Sequence, residues 1–305
     1  MNNSMFKHEI PIVAPTPTPF YQDHVDYGRL GRNIEKWSKT DLSGFVLGSY
    51  GGEEFHLSDD EKFQILDTVV EVNGGRRAII AGIDEPSPFL AAALAHKYSE
   101  RGADFVRIRI PQPSSFGRSS KGVLDYFEYL LPQLRIPVIL IHQPRQGANF
   151  DATPEEIGLI SQIDGVYAYI MSLNFRWENR TVSLLSPNAK VWTCNGSLLF
   201  PGAVTGATGA CLFFANWAPG LCRNIIQLVM SGDYEEARKI QAQIIYADYF
   251  GMSKGVAALK HGLNLLGYEA TVPRKPTLPL THAEKIELNE AFRKAGIIGF
   301  QQELA

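Results

Sequence analysis

Arg107 and Arg109 alternate in the run Phe105-Val106-Arg107-Ile108-Arg109-Ile110. If that run is a strand, both guanidinium groups project to one face. Burying two cations against apolar helices is costly, so that face belongs to the interior or mouth of a barrel. Two forks of donors suit a carboxylate or a phosphate. They equally suit internal acids such as Asp84 or Glu85, since pairing is how a fold tolerates buried charge. His142 is the best general acid or base by residue type, or else a histidine tied to a loop carbonyl. Cys194 becomes a nucleophile only beside a base or a helix N-terminus, which the residues around Gly196-Ser197 would supply. Otherwise it is a small buried residue. Ser172 and Asn195 are candidate ligand-binding groups, with Asn174 and Asn216 either lining a pocket or capping turns. Glu53 and Glu54 follow two glycines and read as acid/base groups or as exposed loop carboxylates. No His, Cys, Asp or Glu spacing asks for a metal, and Gly48, Gly51 and Gly52 form no phosphate-binding fingerprint. No metal or cofactor is expected.

These residues sit at the ends of strand-like runs that alternate with helix-like ones, the pattern of a parallel sheet with crossover helices. The strand runs are 10–14, 43–48, 77–83, 105–110, 137–142, 166–171, 191–194 and 209–214. Asp26 reads as the N-cap of a first helix. Ser58-Asp59-Asp60-Glu61, Thr153-Pro154-Glu155-Glu156 and Thr281-His282-Ala283-Glu284 read as capping boxes. A Ser/Pro/Gly-rich loop covers 111–120. Eight strands with eight crossovers predict a (β/α)8 TIM barrel over residues 1–230. Helical stretches at 233–249, 253–266 and 282–296 exceed what a barrel needs, so a C-terminal helical extension is expected over 231–305. Tyr246, Tyr249 and Phe250, at helical spacing, suggest packing or an oligomer contact.

The chain has 305 residues and a formal charge of -3. A barrel of that length is one domain, and the near-neutral charge gives no footprint for nucleic acid or an anionic membrane. A small anionic ligand would need a local positive site. The three cysteines, Cys194, Cys211 and Cys222, form no framework and suit a reducing compartment. No apolar run of membrane-spanning length is present, and Met1 to His8 lacks the apolar core of a signal peptide, so a cytoplasmic location is expected.

Ordered pieces along the chain carry a family resemblance. They are Thr18-Pro19-Phe20, Leu47-Gly48-Ser49, Leu57-Ser58-Asp59-Asp60-Glu61-Lys62, Arg101-Gly102-Ala103-Asp104, Pro137-Val138-Ile139-Leu140, Ala215-Asn216-Trp217-Ala218-Pro219 and Lys254-Gly255-Val256-Ala257-Ala258-Leu259-Lys260. In order and spacing the chain resembles the dihydrodipicolinate synthase / N-acetylneuraminate lyase family over nearly its full length. The resemblance implies a barrel with a C-terminal helical domain, assembled as dimers or tetramers. It also implies class I aldolase chemistry on pyruvate or another 2-oxo acid through a lysine Schiff base. That chemistry needs a neutral amine at the carbonyl and a tyrosine hydroxyl to shuttle protons.

The chain departs from the family where the chemistry lies. The family's glycine-x-lysine falls on Ala168-Tyr169-Ile170, which puts Ile170 at the Schiff-base position; a one-residue slip gives Tyr169 or Met171, neither an amine. The family's tyrosine-asparagine-x-proline reads Ile141-His142-Gln143-Pro144, so Ile141 replaces the shuttle tyrosine. The paired threonines after the second strand fall on Ser49 and Tyr50, with an extra residue near Gly51-Gly52. Imine chemistry of the family type is therefore expected to be lost. A small carboxylated metabolite would bind at Ser49, Arg107 and Arg109, with His142 or Tyr50 moving protons. A non-catalytic metabolite-binding relative is the alternative.

Overall fold

The computed structural model describes residue 6 and residues 8–111, 121–143, 152–172 and 174–298. Eight parallel strands close into a barrel: β1 Ile12–Pro15, β2 Gly44–Leu47, β3 Ala78–Ile83, β4 Phe105–Arg109, β5 Val138–Ile141, β6 Val166–Met171, β7 Lys190–Thr193 and β8 Gly209–Cys211. Each pairs with its sequence neighbours, and β8 closes onto β1 through Ile12↔Ala210 and Val13↔Cys211. The eight strand runs are therefore those the sequence predicts. The last is shorter, because Phe213–Asn216 tightens into a 3-10 turn.

Helices α1 Tyr27–Trp37, α2 Asp59–Asn73, α3 Pro88–Glu100, α4 Lys121–Leu130, α5 Pro154–Ser161, α6 Phe175–Val182, α7 Leu199–Val204 and α8 Pro219–Ser231 surround the barrel. Their starts follow local chemistry. The Asp26 carboxylate accepts from the Arg29 backbone N–H, and Ser58 and Thr153 form the capping boxes read from the sequence. Beyond them run α9 Tyr234–Leu265 and α10 His282–Lys294, the latter also capped by a box at Thr281. Gly255, at φ 59° and ψ −143°, interrupts α9, inside the stretch 253–266 and not in the gap at 250–252 where the sequence reading divides the helix. The loop expected over 111–120 lies almost wholly outside the described residues.

Alternation along the strands sorts side chains into two cores. Val13, Val46, Ala78, Ile80, Phe105, Ile139, Ile141, Ala168, Ile170, Trp192 and Cys211 fill the barrel interior. Val106, Ile108, Val138, Leu140, Tyr169 and Met171 pack outward under the helices. Phe6 plugs the N-terminal end, stacking on Phe105 at 5.1 Å between ring centroids and meeting Trp192 at 5.5 Å. The register slips once, where Val138 pairs Val166 but Ile139 pairs Ala168. That bulge at Tyr167 settles which residues of β6 turn inward.

Candidate active site

At the C-terminal end of the barrel one inward rung crosses four strands: Arg109↔Ile141 and Ile141↔Ile170 and Ile170↔Trp192. Ile170 is buried in the interior, whereas Tyr169 and Met171, the slipped alternatives, face the helices. The Tyr169 hydroxyl is spent on the buried Glu178 carboxylate at 2.8 Å, which also accepts from the Ser172 backbone N–H at 2.9 Å. A side chain entering the cavity from this part of β6 therefore leaves position 170.

The arginines follow the alternation that the sequence predicts, sharing the inward parity of Phe105. They meet carboxylates there. Arg109 Nη1 lies 2.9 Å from Asp84 and its Nη2 lies 3.3 Å from Glu54. Arg107 Nη2 lies 3.7 Å from Glu54, 3.8 Å from Asp84 and donates to the Gly48 carbonyl at 3.3 Å. The pairing with Asp84 foreseen in the sequence is present, and Glu54 joins it. Arg107 is 4% exposed, and its Nε and that of Arg109 have no acceptor among the described residues. A buried guanidinium with an unmet donor and only long contacts is under-coordinated. Gly82 makes room for it: a Cβ there would lie 1.8 Å from the Gly48 carbonyl oxygen and 2.9 Å from Arg107 Nη2.

Glu54 is not the exposed loop carboxylate that is commonest for such a position. Its neighbour Glu53 takes the left-handed conformation, φ 61° and ψ 40°, between two short 3-10 turns, which turns the two carboxylates apart. Glu53 is buried against Lys260 Nζ at 2.5 Å and accepts from the Arg274 backbone N–H at 2.8 Å. Glu54 turns into the barrel, where burial, opposed by both arginines and reinforced by Asp84, pushes its carboxyl up to about 7. Lys260, fully buried, also donates to the Val272 carbonyl at 3.0 Å and lies over the Phe20 ring at 4.4 Å. Burial pulls its amine down to about 8 despite Glu53.

The other candidates distribute differently. Ser49 is buried at the head of the loop, its hydroxyl donating to the Val46 carbonyl at 3.4 Å. Tyr50 is 55% exposed, and its hydroxyl borders Gly255 of α9. His142 is buried with its ring stacked on Trp177 of α6, centroids 5.9 Å apart; that contact belongs to the helix layer. Ser172 donates to the His142 carbonyl, and Asn195 Nδ2 donates to the Ser172 carbonyl at 3.4 Å, so these three tie the ends of β5, β6 and β7 together. Asn174 caps α6, and Asn216 donates to the carbonyls of Pro15 and Phe213 at 2.9 and 3.1 Å. The surroundings of the half-buried Cys194 fit the plain small residue better than the nucleophile. Burial drives its thiol far above the usual range, and the backbone N–H groups of Gly196 and Ser197 that would have stabilised a thiolate are taken by the Asp248 carboxylate at 3.1 and 2.7 Å. Among the described residues no cluster of three or more His, Cys, Asp and Glu suits a metal, and no helix is long and apolar enough to cross a membrane.

Sequence reasoning noticed Glu54 but could not see it buried. Two arginines on one inward face of a strand were the signal that acids had to arrive from elsewhere.

The model of the dihydrodipicolinate synthetase family matches residues 10–295. The chain belongs to that family. The 4-hydroxy-tetrahydrodipicolinate synthase of Acetivibrio thermocellus is 26% identical over 285 residues, 92% of this chain and 95% of that one. A protein named probable 4-hydroxy-2-oxoglutarate aldolase, mitochondrial, from Emericella nidulans is 24% identical over 93% of this chain and 94% of its own. Among solved structures, the chloride-inhibited dihydrodipicolinate synthase of Acinetobacter baumannii complexed with pyruvate superposes with a TM-score of 0.86 at 20% identity, covering 95% of this chain and 99% of that one. The dihydrodipicolinate synthase of Aquifex aeolicus gives 0.85 at 22% identity, covering 95% and 99%. At that identity the structures establish the fold, a TIM barrel with C-terminal helices. The four-charge cluster of this dihydrodipicolinate synthetase family member rests on its own residues.

Proposed function

We propose that this chain is a lyase-type family member that binds a small carboxylated metabolite at Arg107 and Arg109 without forming a Schiff base, any reaction running by non-covalent acid and base catalysis. The observation that carries the reading is the inward rung Arg109, Ile141, Ile170 and Trp192. It sets a cation beside a hydrocarbon wall where imine chemistry needs an amine. The unmet Nε of the buried Arg107 supports an anionic ligand. Lys260, the buried lysine among the described residues, has its amine engaged by Glu53 and Val272. Ser49, Ser172 and Asn195 bound the ligand space at the strand ends, while Tyr50 and His142 stand as weaker proton carriers than the sequence implied.

The test is borohydride reduction in the presence of pyruvate and related 2-oxo acids, followed by intact mass and peptide mapping. The expected outcome is an unmodified chain. A stable adduct on Lys260, or on any lysine, overturns the reading. A second reading, a non-catalytic metabolite-binding subunit, is favoured by the same apolar rung. It predicts saturable binding without turnover across a broad substrate panel, unaffected by His142→Ala. The three free thiols fit a cytoplasmic home. Exposed Tyr249 on α9, beside Tyr246, fits assembly into a homodimer or homotetramer.

A further inference from the structure

Arg107 and Arg109 face Glu54 and Asp84 in a cluster whose two positive and two negative charges cancel. Each guanidinium still has its Nε unmet among the described residues, so donors remain although the charge is balanced. A carboxylate arriving at those donors would leave the buried cluster one negative charge in excess. Arg107 is also buried, so a ligand reaches it only through space that a neighbouring side chain vacates. One resident carboxylate therefore has to give way, and the two are not held alike. Asp84, just past β3, makes the closest contact of the four, 2.9 Å to Arg109 Nη1. Glu54 reaches Arg109 at 3.3 Å and Arg107 at 3.7 Å. The chain before it is fixed: the Gly52 carbonyl accepts from the Thr18 hydroxyl at 2.8 Å, and Glu53 is pinned by Lys260 and the Arg274 N–H. The residue after it, Phe55, is 71% exposed. The Glu54 side chain can thus swing towards the open side without undoing those anchors.

We propose that Glu54 is an internal stand-in for the ligand's carboxylate, and that the site takes a monocarboxylate by one-for-one exchange, Glu54 swinging out as the ligand settles on Arg107 and Arg109. This rests on the reading above that the two arginines receive a carboxylate. The exchange keeps the cluster neutral, uncovers the buried fork of Arg107 and returns a desolvated carboxylate to water. Asp84 stays in place and holds Arg109 in position. A second carboxylate on the same end of the ligand would meet Asp84 and find no spare cation, so the geometry selects a single one. Wild-type affinity is then the difference between two carboxylates competing for the same donors, and removing the resident one raises it.

The test is calorimetric titration of pyruvate into the wild type and Glu54→Gln at pH 8, where the Glu54 carboxyl, pushed up to about 7 by burial, is mostly ionised. Glu54→Gln should bind pyruvate at least tenfold more tightly. Glu54→Asp keeps the charge but is one methylene too short to span both arginines. It should also bind more tightly than the wild type, which keeps the test open if Glu54→Gln fails to fold. Affinity unchanged or weakened in the variants overturns the proposal. A crystal structure of the wild type with pyruvate supplies the second readout, which a merely structural ion pair would not move: the pyruvate carboxylate on Arg107 and Arg109, and the Glu54 carboxylate more than 4 Å from either. Pyruvate seated there with Glu54 still in contact sinks the exchange and leaves the carboxylate reading standing. Absence of pyruvate binding in the wild type and in both variants sinks that reading and the exchange with it.

Discussion

Arg107 illustrates how one side chain makes demands on several others. Its guanidinium is buried, so it requires counter-charges, a carbonyl and an empty position beside it, and Glu54, Asp84, Gly48 and Gly82 supply these in turn. Replacing Arg107 with Met removes a charge that lowers the Glu54 carboxyl, so that carboxyl moves further up. Losing one partner of a buried pair costs about 3–5 kcal/mol when the other stays ionised. Arg107→Met is therefore expected to destabilise more at pH 8, where Glu54 must ionise alone, than at pH 6; urea midpoints at the two pH values check this. Gly82→Ala drives a methyl into the Gly48 carbonyl and the arginine, and should cost about 3 kcal/mol. A Gly82→Ala protein as stable as wild type in the same urea titration would show that the strands can separate without loss.

At the scale of elements, the loop from Ser49 to Leu57 decides the site, and it is held from outside the barrel. Glu53 in the left-handed conformation is pinned by Lys260 of α9 and by the Arg274 backbone, while the Arg274 side chain clasps Glu61 at 2.9 Å. The C-terminal helices thus position a barrel loop. Glu53→Gln leaves Lys260 buried without a counter-ion, and amide hydrogen exchange should quicken across 50–57 while β4 and β5 stay protected. Equal quickening in the strands would mean that the pair supports the whole fold. The helix starts are more local. Thr153→Ala removes the cap of α5 and should cost about 1 kcal/mol, read from the denaturation midpoint.

For the whole molecule, buried charge sets how stability varies with pH. The Glu54 carboxyl titrates at about 7 when folded and near 4.5 when free, so across that window the native state binds more protons than the unfolded one. Stability contributed by this group is full below about pH 4.5 and is lost as pH rises towards 7. Lys260 acts in the alkaline range. Its amine titrates at about 8 when folded and 10.5 when free, so there the unfolded chain binds more protons and this group's contribution rises with pH. Thermal melts from pH 5 to 8 should show a decline that flattens in Glu54→Gln; parallel curves for the two proteins would contradict the assignment.

The residue pattern alone determined the strands, their order and their inward faces, because period-two alternation and capping side chains act between near neighbours. Phe105, Arg107 and Arg109 face inward as the alternation requires, and Ser58, Thr153 and Thr281 start helices as their spacing requires. Tertiary structure decided the company those residues keep. Glu54 could not be read as buried, because its burial depends on Glu53 being drawn away by Lys260, more than two hundred residues distant in the chain. Nor could His142 be read as stacking on Trp177, or Asp248 as occupying the helix start beside Cys194. Charge and proton affinity depend on what surrounds a group in space, and only the closed barrel with its packed helices fixes those surroundings.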